Sequence, residues 1–552
     1  MRTAWGFFSL VLATLLVVAL AALGVEAATL NVPAQYPIIQ DAMDAAQAGD
    51  TVLVAAGTYT HLRRPPGPDT LCAVFMKSGV TLRGAGRGLT IIDPDSLGRG
   101  IHCRNVTNTR IERLTVRRAF AQIYGAGILC ESSSPAIRDV EVTRCEDGGI
   151  ICLGSSPTIS QSFITYNRSK QGGGIAIENG SSPQITDCRI TNNAAPAGGG
   201  VFIRASSPTM TRCVIQDDSL NTENAAGGGI GLVSATLTIT DSQILNNVGT
   251  GPGGGIAVND NSTLIATRCD IIGNTTSDTY GPGGGIYTDF STMTIDRCLI
   301  ARNSAPGADS DGGGIAALFA DQILIRGSTI AANATNAAAG RGGGIALLTT
   351  SPTIESSIIA FNSPGRGIAC ADGASVPVTS CSDLFGNQGG NQICGTNGGD
   401  NFTLDPLFCN LATNDFTLRR DSPCLDNQHP SGAPCGQIGA RALGTCEGIG
   451  IAEEAAAPAD PLKSCRAAPN PFGTQTVFEF ELGRPGHLAL TIYDVDGRRV
   501  RLLADERMAG GKHALAWNGR DDQGHIVASG VYYYRLAGDG WTGRTGRIVI
   551  AR

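Results

Sequence analysis

Cut into units and aligned on the slot held by Cys188, the middle of the chain sorts its residues into apolar and polar columns. Two residues after that slot stand Ile164, Ile190, Ile215, Ile244, Ile271, Ile300, Ile330 and Ile359. Three residues before it stand Ile159, Ile185, Met210, Ile239, Ala266, Ile295, Ile325 and Ile354. Five residues after it the column is polar: Asn167, Asn193, Asp218, Asn247, Asn274, Asn303, Asn333 and Asn362. A glycine block running into an aliphatic residue closes each unit, as in Gly172-Gly173-Gly174-Ile175. It recurs at Gly198 to Val201, Gly227 to Ile230, Gly253 to Ile256, Gly283 to Ile286, Gly312 to Ile315 and Gly342 to Ile345. Weaker copies are Gly100-Ile101, Gly127-Ile128, Gly149-Ile150 and Gly367-Ile368.

Apolar positions two apart have strand spacing, not helix spacing. The pattern predicts three short strands per unit: one after the glycines, one around Ser-Pro segments such as Ser182-Pro183, one around the Ile190 column. A repeat of this length can coil once and lay each strand on its counterpart, about 4.8 Å away. The Asn column suits a tight turn, because Asn tolerates left-handed backbone. Stacked at Asn167, Asn193, Asn247, Asn274, Asn303, Asn333 and Asn362, its amides can bond along the axis as a ladder. The glycine blocks suit positive φ or close backbone approach.

These features resemble the right-handed parallel β-helix of the pectin-lyase-like superfamily, over residues 28 to 447. The resemblance implies an all-β fold of roughly 11 coils. Ile38-Ile39-Gln40-Asp41-Ala42-Met43-Asp44-Ala45-Ala46 has helical apolar spacing and looks like that family's N-terminal cap. Such a cap is physically required, since an open coil end is a sticky edge. The far end, with Asp405-Pro406-Leu407-Phe408 and Ile438-Gly439-Ala440, also resembles proteins of this group.

The two ends of the chain read differently. Arg2, an apolar run from Phe7 to Leu23 and Val25-Glu26-Ala27 read as a signal peptide over 1 to 27, with an uncleaved anchor as the alternative. Residues 448 to 464, with Ala455-Ala456-Ala457-Pro458, read as a linker. Beyond it Val477-Phe478-Glu479-Phe480-Glu481-Leu482, Leu488 to Tyr493 and Val531 to Leu536 alternate like strands, and turn signals such as Asp496-Gly497 separate them. A small β-sandwich over 465 to 552 follows. Ala468-Pro469-Asn470-Pro471-Phe472, Tyr493 to Arg498 and Trp517-Asn518-Gly519-Arg520-Asp521 resemble the Ig-like domain of flagellar hook-capping proteins and its relative, the type IX secretion sorting domain. That resemblance implies contact with secretion machinery and a secreted or cell-surface protein.

Charge narrows the partners. The last 88 residues carry 12 Arg and Lys against 9 Asp and Glu, so the +3 there leaves −10 for the rest of a chain with a net charge of −7. An acidic main body argues against a nucleic-acid role. Seventeen cysteines in an exported chain raise the question of disulfides. Cys188, Cys213, Cys269 and Cys298 share one column with serines, and Cys103, Cys130, Cys152 and Cys370 share another. Interchange with small or aliphatic residues favours free buried thiols there. Cys381, Cys394, Cys409, Cys424, Cys435 and Cys446 lie in irregular sequence, where disulfides are expected and their partners stay open.

Candidate chemistry is sparse. Outward positions lie one and three residues past the aliphatic of the first strand. In the lyases and hydrolases that the fold resembles, substrate lies along that face. The resemblance therefore points to His102, Arg104, Phe202, Asn259 and Tyr287 for glycan contact, and to Glu131, Glu178, Arg204 and Asp289 for any catalysis. Glu178 and Arg204 are adjacent and expected to pair. Glu131 and Glu178 are two coils apart, near the upper limit for an inverting carboxyl pair. Acidic turns at Asp278, Asp309 and Asp311 could hold Ca²⁺, with a solvated rim as the alternative; no other cofactor is implied. Of the polygalacturonase segments only Asp217-Asp218 has a match, and no convincing acid–base set emerges. The reading is a secreted, monomeric, non-catalytic β-helix for adhesion or polysaccharide contact. The alternative is a lyase, hydrolase or epimerase acting on an acidic glycan.

Overall fold

The computed structural model describes residues 27–64, 71–121, 125, 127–222, 226–320, 322–336, 342–446, 462–482, 486–494, 499–538 and 541–552. Nearly all of the segment read as a signal peptide and of the segment read as a linker lies outside these residues. The chain divides into two compact units, Met1–Cys446 and Glu447–Arg552.

The first unit is a parallel β-coil. Twelve strands stack into one sheet, in sequence order from Cys72–Phe75 to Arg366–Cys370. The count exceeds the glycine–aliphatic copies by one because Cys72–Phe75 opens on Ala73-Val74 without a glycine signal. The Ser-Pro and Ile190 strands form the second and third faces. They count as one sheet because Arg110–Arg117 and Ala136–Thr143 run unbroken through both. A fourth, two-residue strand follows the Asn column in six coils, from Ala194–Ala195 to Ala334–Thr335. Register is strict: Ile190 pairs with Ile215, and Ile215 with Ile244. All three are fully buried. The helix Ile39–Ala45 closes the first coil, burying Ile39, Ala42 and Met43.

Each coil turns at left-handed residues in three columns, singly at most corners and as pairs at Asn179-Gly180 and Asp260-Asn261. One follows the first strand, as at Asn179, Ala205, Phe290 and Phe319; one precedes the Cys188 slot, as at Asp187 and Arg212. The third holds Asn192, Asp217, Asn246 and Arg302, one residue before the Asn column. The expectation that the column itself takes left-handed backbone is therefore corrected. Its side chains are needed inside. Asn274 Nδ2 donates to Ile244 O of the preceding coil at 2.9 Å and to Asn303 Oδ1 at 2.9 Å. Its own Oδ1 accepts from Asn247 N and Nδ2. The ladder is buried from Asn167 to Asn362 and continues to Asn387. The glycines make room for it: a Cβ on Gly174 would stand 2.6 Å from Gly200 O and 3.0 Å from Asn193 Nδ2.

Cysteines fall in two classes, with two corrections. Disulfides join Cys370–Cys394, Cys381–Cys435 and Cys409–Cys446. Cys370 leaves its column's class because the last coil has no following strand above it; the end segment covers it and supplies Cys394. Cys424 stays a thiol, buried with its Sγ 3.4 Å from Asp383 Oδ2. Phe408, Phe416, Leu418 and Ile438 build the apolar end segment around it.

The second unit has a three-stranded sheet (Leu462–Ala468, Thr476–Leu482, Gly511–Trp517) and a four-stranded sheet (Arg499–Met508, Gly486–Tyr493, Gly530–Gly538, Trp541–Ile550). Phe478, Leu490, Ile492, Trp517, Leu536 and Ile548 fill the core. Its first strand opens at Leu462, inside the segment read as linker. The Asp496-Gly497 turn lies outside the described residues.

Candidate functional site

Strand pleating puts alternate residues of the first sheet outward. The row one residue past the aliphatic is not a solvent face, which corrects the sequence reading. His102, Phe202 and Tyr287 are 2%, 2% and 7% exposed. Two apolar clusters run along this row: Leu129, Ile151 and Ala176, then Ala257, Tyr287 and Ala316. Glycine-block turns close over it, for a Cβ on Gly198 would stand 2.8 Å from the Phe202 Cα. Phe202 therefore cannot offer its face to a ligand.

The row two residues further on carries the chemistry. In its first half the carboxylates are occupied. Arg104 Nε and His102 Nε2 both lie 3.3 Å from Glu131 Oε2. Arg204 Nη1 lies 3.9 Å from Glu178 Oε2, and its guanidinium sits 5.0 Å above the Phe202 ring. Leu153 stands in register between Glu131 and Glu178. The two carboxyls thus share a row, each beside a cation.

The second half differs. Tyr280, Pro282, Asp309 and Asp311, at the strand starts, wall an open groove of about 260 Å³ whose floor includes Leu318, Ala346 and Leu348. Asp289 pairs in register with Leu318, and Leu318 with Leu348. Burial raises the Asp289 carboxyl above its ordinary value, and the Asp260 charge adds to this. Its Oδ1 is shut off from solvent and has no hydrogen-bond partner among the described residues. Burial also raises the Tyr287 and Tyr280 phenols, with the Asp289 charge contributing at both. Asn259 lies half-buried in the row before Asp289.

At the strand ends stand Phe290 and Phe319, left-handed at φ 46° and 47° and 58% and 40% exposed. Their rings stack with centroids 5.1 Å apart and planes 11° from parallel. Sequence reading missed this pair, although both residues sit four past the aliphatic in successive units. It looked for ligand contacts only within the strand. Tyr280, in an irregular turn, gave no signal.

Among the described residues, the carboxylates of Asp278, Asp309 and Asp311 do not converge into one group of ligand atoms. Asp278 accepts from Thr279 N at 2.6 Å, whereas Asp309 and Asp311 wall the groove. Among the described residues, the three-residue group whose ligand atoms converge is Cys381, Asp400 and Cys435, and its cysteines are joined to each other.

The model of the right-handed β-helix region matches residues 99–271, 199–310 and 234–406, together more than half of the chain. The chain belongs to the right-handed β-helix family. The FlgD Ig-like domain model matches residues 471–540. No curated protein matches. Among solved structures, this β-helix protein is similar to the A-module of mannuronan C-5 epimerase AlgE4 from Azotobacter vinelandii, at 17% identity and TM-score 0.39, over 66% of this chain and 95% of that one. It is also similar to the catalytic unit of a GH87 α-1,3-glucanase from Streptomyces thermodiastaticus, at 14% identity and TM-score 0.35, over 66% and 65%. A third is the PL6 family alginate lyase AlyGC, at 10% identity and TM-score 0.36, over 75% and 58%. At these identities the likeness concerns the fold alone.

Proposed function

We propose that this β-helix is exported as a monomer and contacts polysaccharide outside the cell without transforming it. The FlgD-like domain would then be the part that meets the secretion or anchoring machinery. One observation carries this reading: an open groove crosses successive coils of the first sheet, and two exposed, stacked phenyl rings stand at the ends of strands in the same coils. Convergent polar groups beside apolar surface are what a ligand cleft requires. The pairing of Glu131 and Glu178 with cations supports a non-catalytic role, because a general acid and base need positioned, available carboxyls. Three disulfides suit an oxidising compartment.

Asp289 supports the second reading, a carbohydrate-active enzyme. A carboxyl raised by burial beside two tyrosines is a proton-transfer set in search of a substrate. The groove's own carboxylates disfavour an acidic glycan in that role. A panel of neutral, acidic and amino polysaccharides, incubated with the full chain with and without Ca²⁺, separates the two. Retention on a polysaccharide with no new unsaturated or reducing ends is expected. New ends would overturn the non-catalytic reading.

A further inference from the structure

We propose that the second face of the coil binds ice, its threonine columns holding a regular layer of water that merges with the crystal. This face is distinct from the groove, and the inference does not rest on the glycan-contact reading.

Register is the first support. Pleating turns the residues on either side of the buried Ile185 column outward. Thr186, Thr211, Thr240 and Thr267 follow one another in register through four successive coils. Thr209, Thr238, Ile265 and Thr294 stand beside them, and Thr236, Thr263 and Thr292 make a third column. Strand stacking sets the columns' members about 4.8 Å apart along the axis and roughly 6.5–7 Å apart along a strand. Both repeats lie close to spacings between water oxygens on the crystal faces of ice.

Composition is the second. Threonine holds seven of the ten positions that flank the buried residues Ile185, Met210, Ile239, Ala266 and Ile295. In the same five coils it holds one, Thr191, of the ten that flank Ile190, Ile215, Ile244, Ile271 and Ile300 on the third face. The preference of threonine for strands acts on both faces alike, so it does not account for the difference. Asp296 is the one charged residue of the first set, and none of that set is aromatic. A surface for stacking sugar rings would need aromatic residues. The corner beyond is charged but paired, Arg212 with Asp187 and Arg268 with Asp241.

The third support is the availability of the hydroxyls. Thr263 Oγ1 and Thr292 Oγ1 hydrogen-bond to each other at 2.9 Å. Among the described residues, the other eight threonine hydroxyls of these columns have no protein partner. All ten side chains are at least partly open to solvent. Each presents a hydroxyl, which anchors a water as in any bridged contact, and a methyl, which water can only surround. Strict register holds both groups on a fixed lattice.

The test uses the full chain in three measurements: the shape of a growing ice crystal, inhibition of ice recrystallisation, and enrichment of labelled protein in a slowly frozen ice hemisphere. Faceted crystals, inhibited recrystallisation and enrichment are expected. Thr211→Arg combined with Thr240→Arg sets two bulky cations on the lattice and should cut the potency of recrystallisation inhibition about tenfold or more. The thermal melt should stay within a few degrees, since Arg326 and Glu355 already stand in that column in later coils. Thr191→Arg, on the third face, should leave the potency unchanged. Round crystals with no enrichment overturn the proposal. Potency that the double variant leaves intact, or that Thr191→Arg lowers as far, overturns the assignment to this face. Retention on crystalline cellulose that the double variant abolishes, without any effect on ice, overturns ice as the occupant and gives the face to a solid glycan.

Discussion

Asp218 sits in an asparagine's seat: its Oδ1 accepts from Asn193 Nδ2 at 2.9 Å and from Asn193 N at 2.7 Å. Its Oδ2 occupies the place where the next rung, Asn247, carries an Nδ2 that donates to Ile215 O and Asn274 Oδ1. That oxygen is buried, with no hydrogen-bond partner among the described residues. A proton on Oδ2 restores the missing donor.

Stability should therefore fall as pH rises. Burial raises the Asp218 carboxyl well above its ordinary value, and neighbouring Asp217 adds to this. A raised folded value means that the folded state holds the proton more tightly than the unfolded chain. The stabilisation is complete below about pH 4, the unfolded value. It is lost as pH climbs towards the folded value. Asp383, pushed up to about 7 mainly by burial, acts in the same direction between about pH 4 and 7. Asp218→Asn supplies the amide permanently. It should gain about 1–3 kcal/mol at pH 8 and much less at pH 5. Denaturant unfolding at both pH values checks this, and an equal effect at both would remove the protonated-carboxyl account.

An interior rung should be costly to delete. Asn274→Ala strands Asn247 N, Asn247 Nδ2 and Ile244 O away from water. Unmet buried groups cost about 1–3 kcal/mol each, so a loss of about 3 kcal/mol or more is expected in chemical denaturation. A loss below about 1 kcal/mol would mean that the ladder contributes little.

The exposed corner at Ala205 offers the opposite effect. Its φ of 46° costs an L residue and suits glycine. Ala205→Gly removes only an exposed methyl and should raise stability by about 0.5–1 kcal/mol, seen as a small rise in melting temperature. A fall would show that the corner is not strained.

Thiol chemistry gives a count. Eleven cysteines are unbridged, ten of them buried. Burial pushes the Cys188 thiol up to about 12 and Cys213 up to about 11. Denatured, unreduced protein should titrate eleven thiols, and native protein should react slowly at those ten. Fewer than eleven after denaturation would reveal further bridges within the stacked columns.

The coil was legible because its cause is periodic. Each Ile in the 190 column packs on the same residue type above and below, so one interaction is written many times. The ladder was legible for the same reason. The corners were not. Arg212, Phe290 and Arg302 adopt left-handed backbone because stacking from both sides fixes the turn, overriding the preference for Gly or Asn. The buried outward row also escaped notice. Phe202 and Tyr287 are outward by pleat, but turns from the glycine blocks fold over them, and irregular sequence carries no periodic signal. Cys370 obeyed its column in sequence and left it in space because the coil ends there.

Every amide in the Asn row borrows an acceptor from the coil that follows, so no interior turn can peel away while its neighbours hold. Loss of the native state has to begin at a terminus of the stack and travel inward. The helix at Ile39–Ala45 guards one terminus, and the segment bridged to Cys370 and Cys381 guards the other. How long the protein persists in a hostile medium is then set by its two lids rather than by the depth of its isoleucine interior.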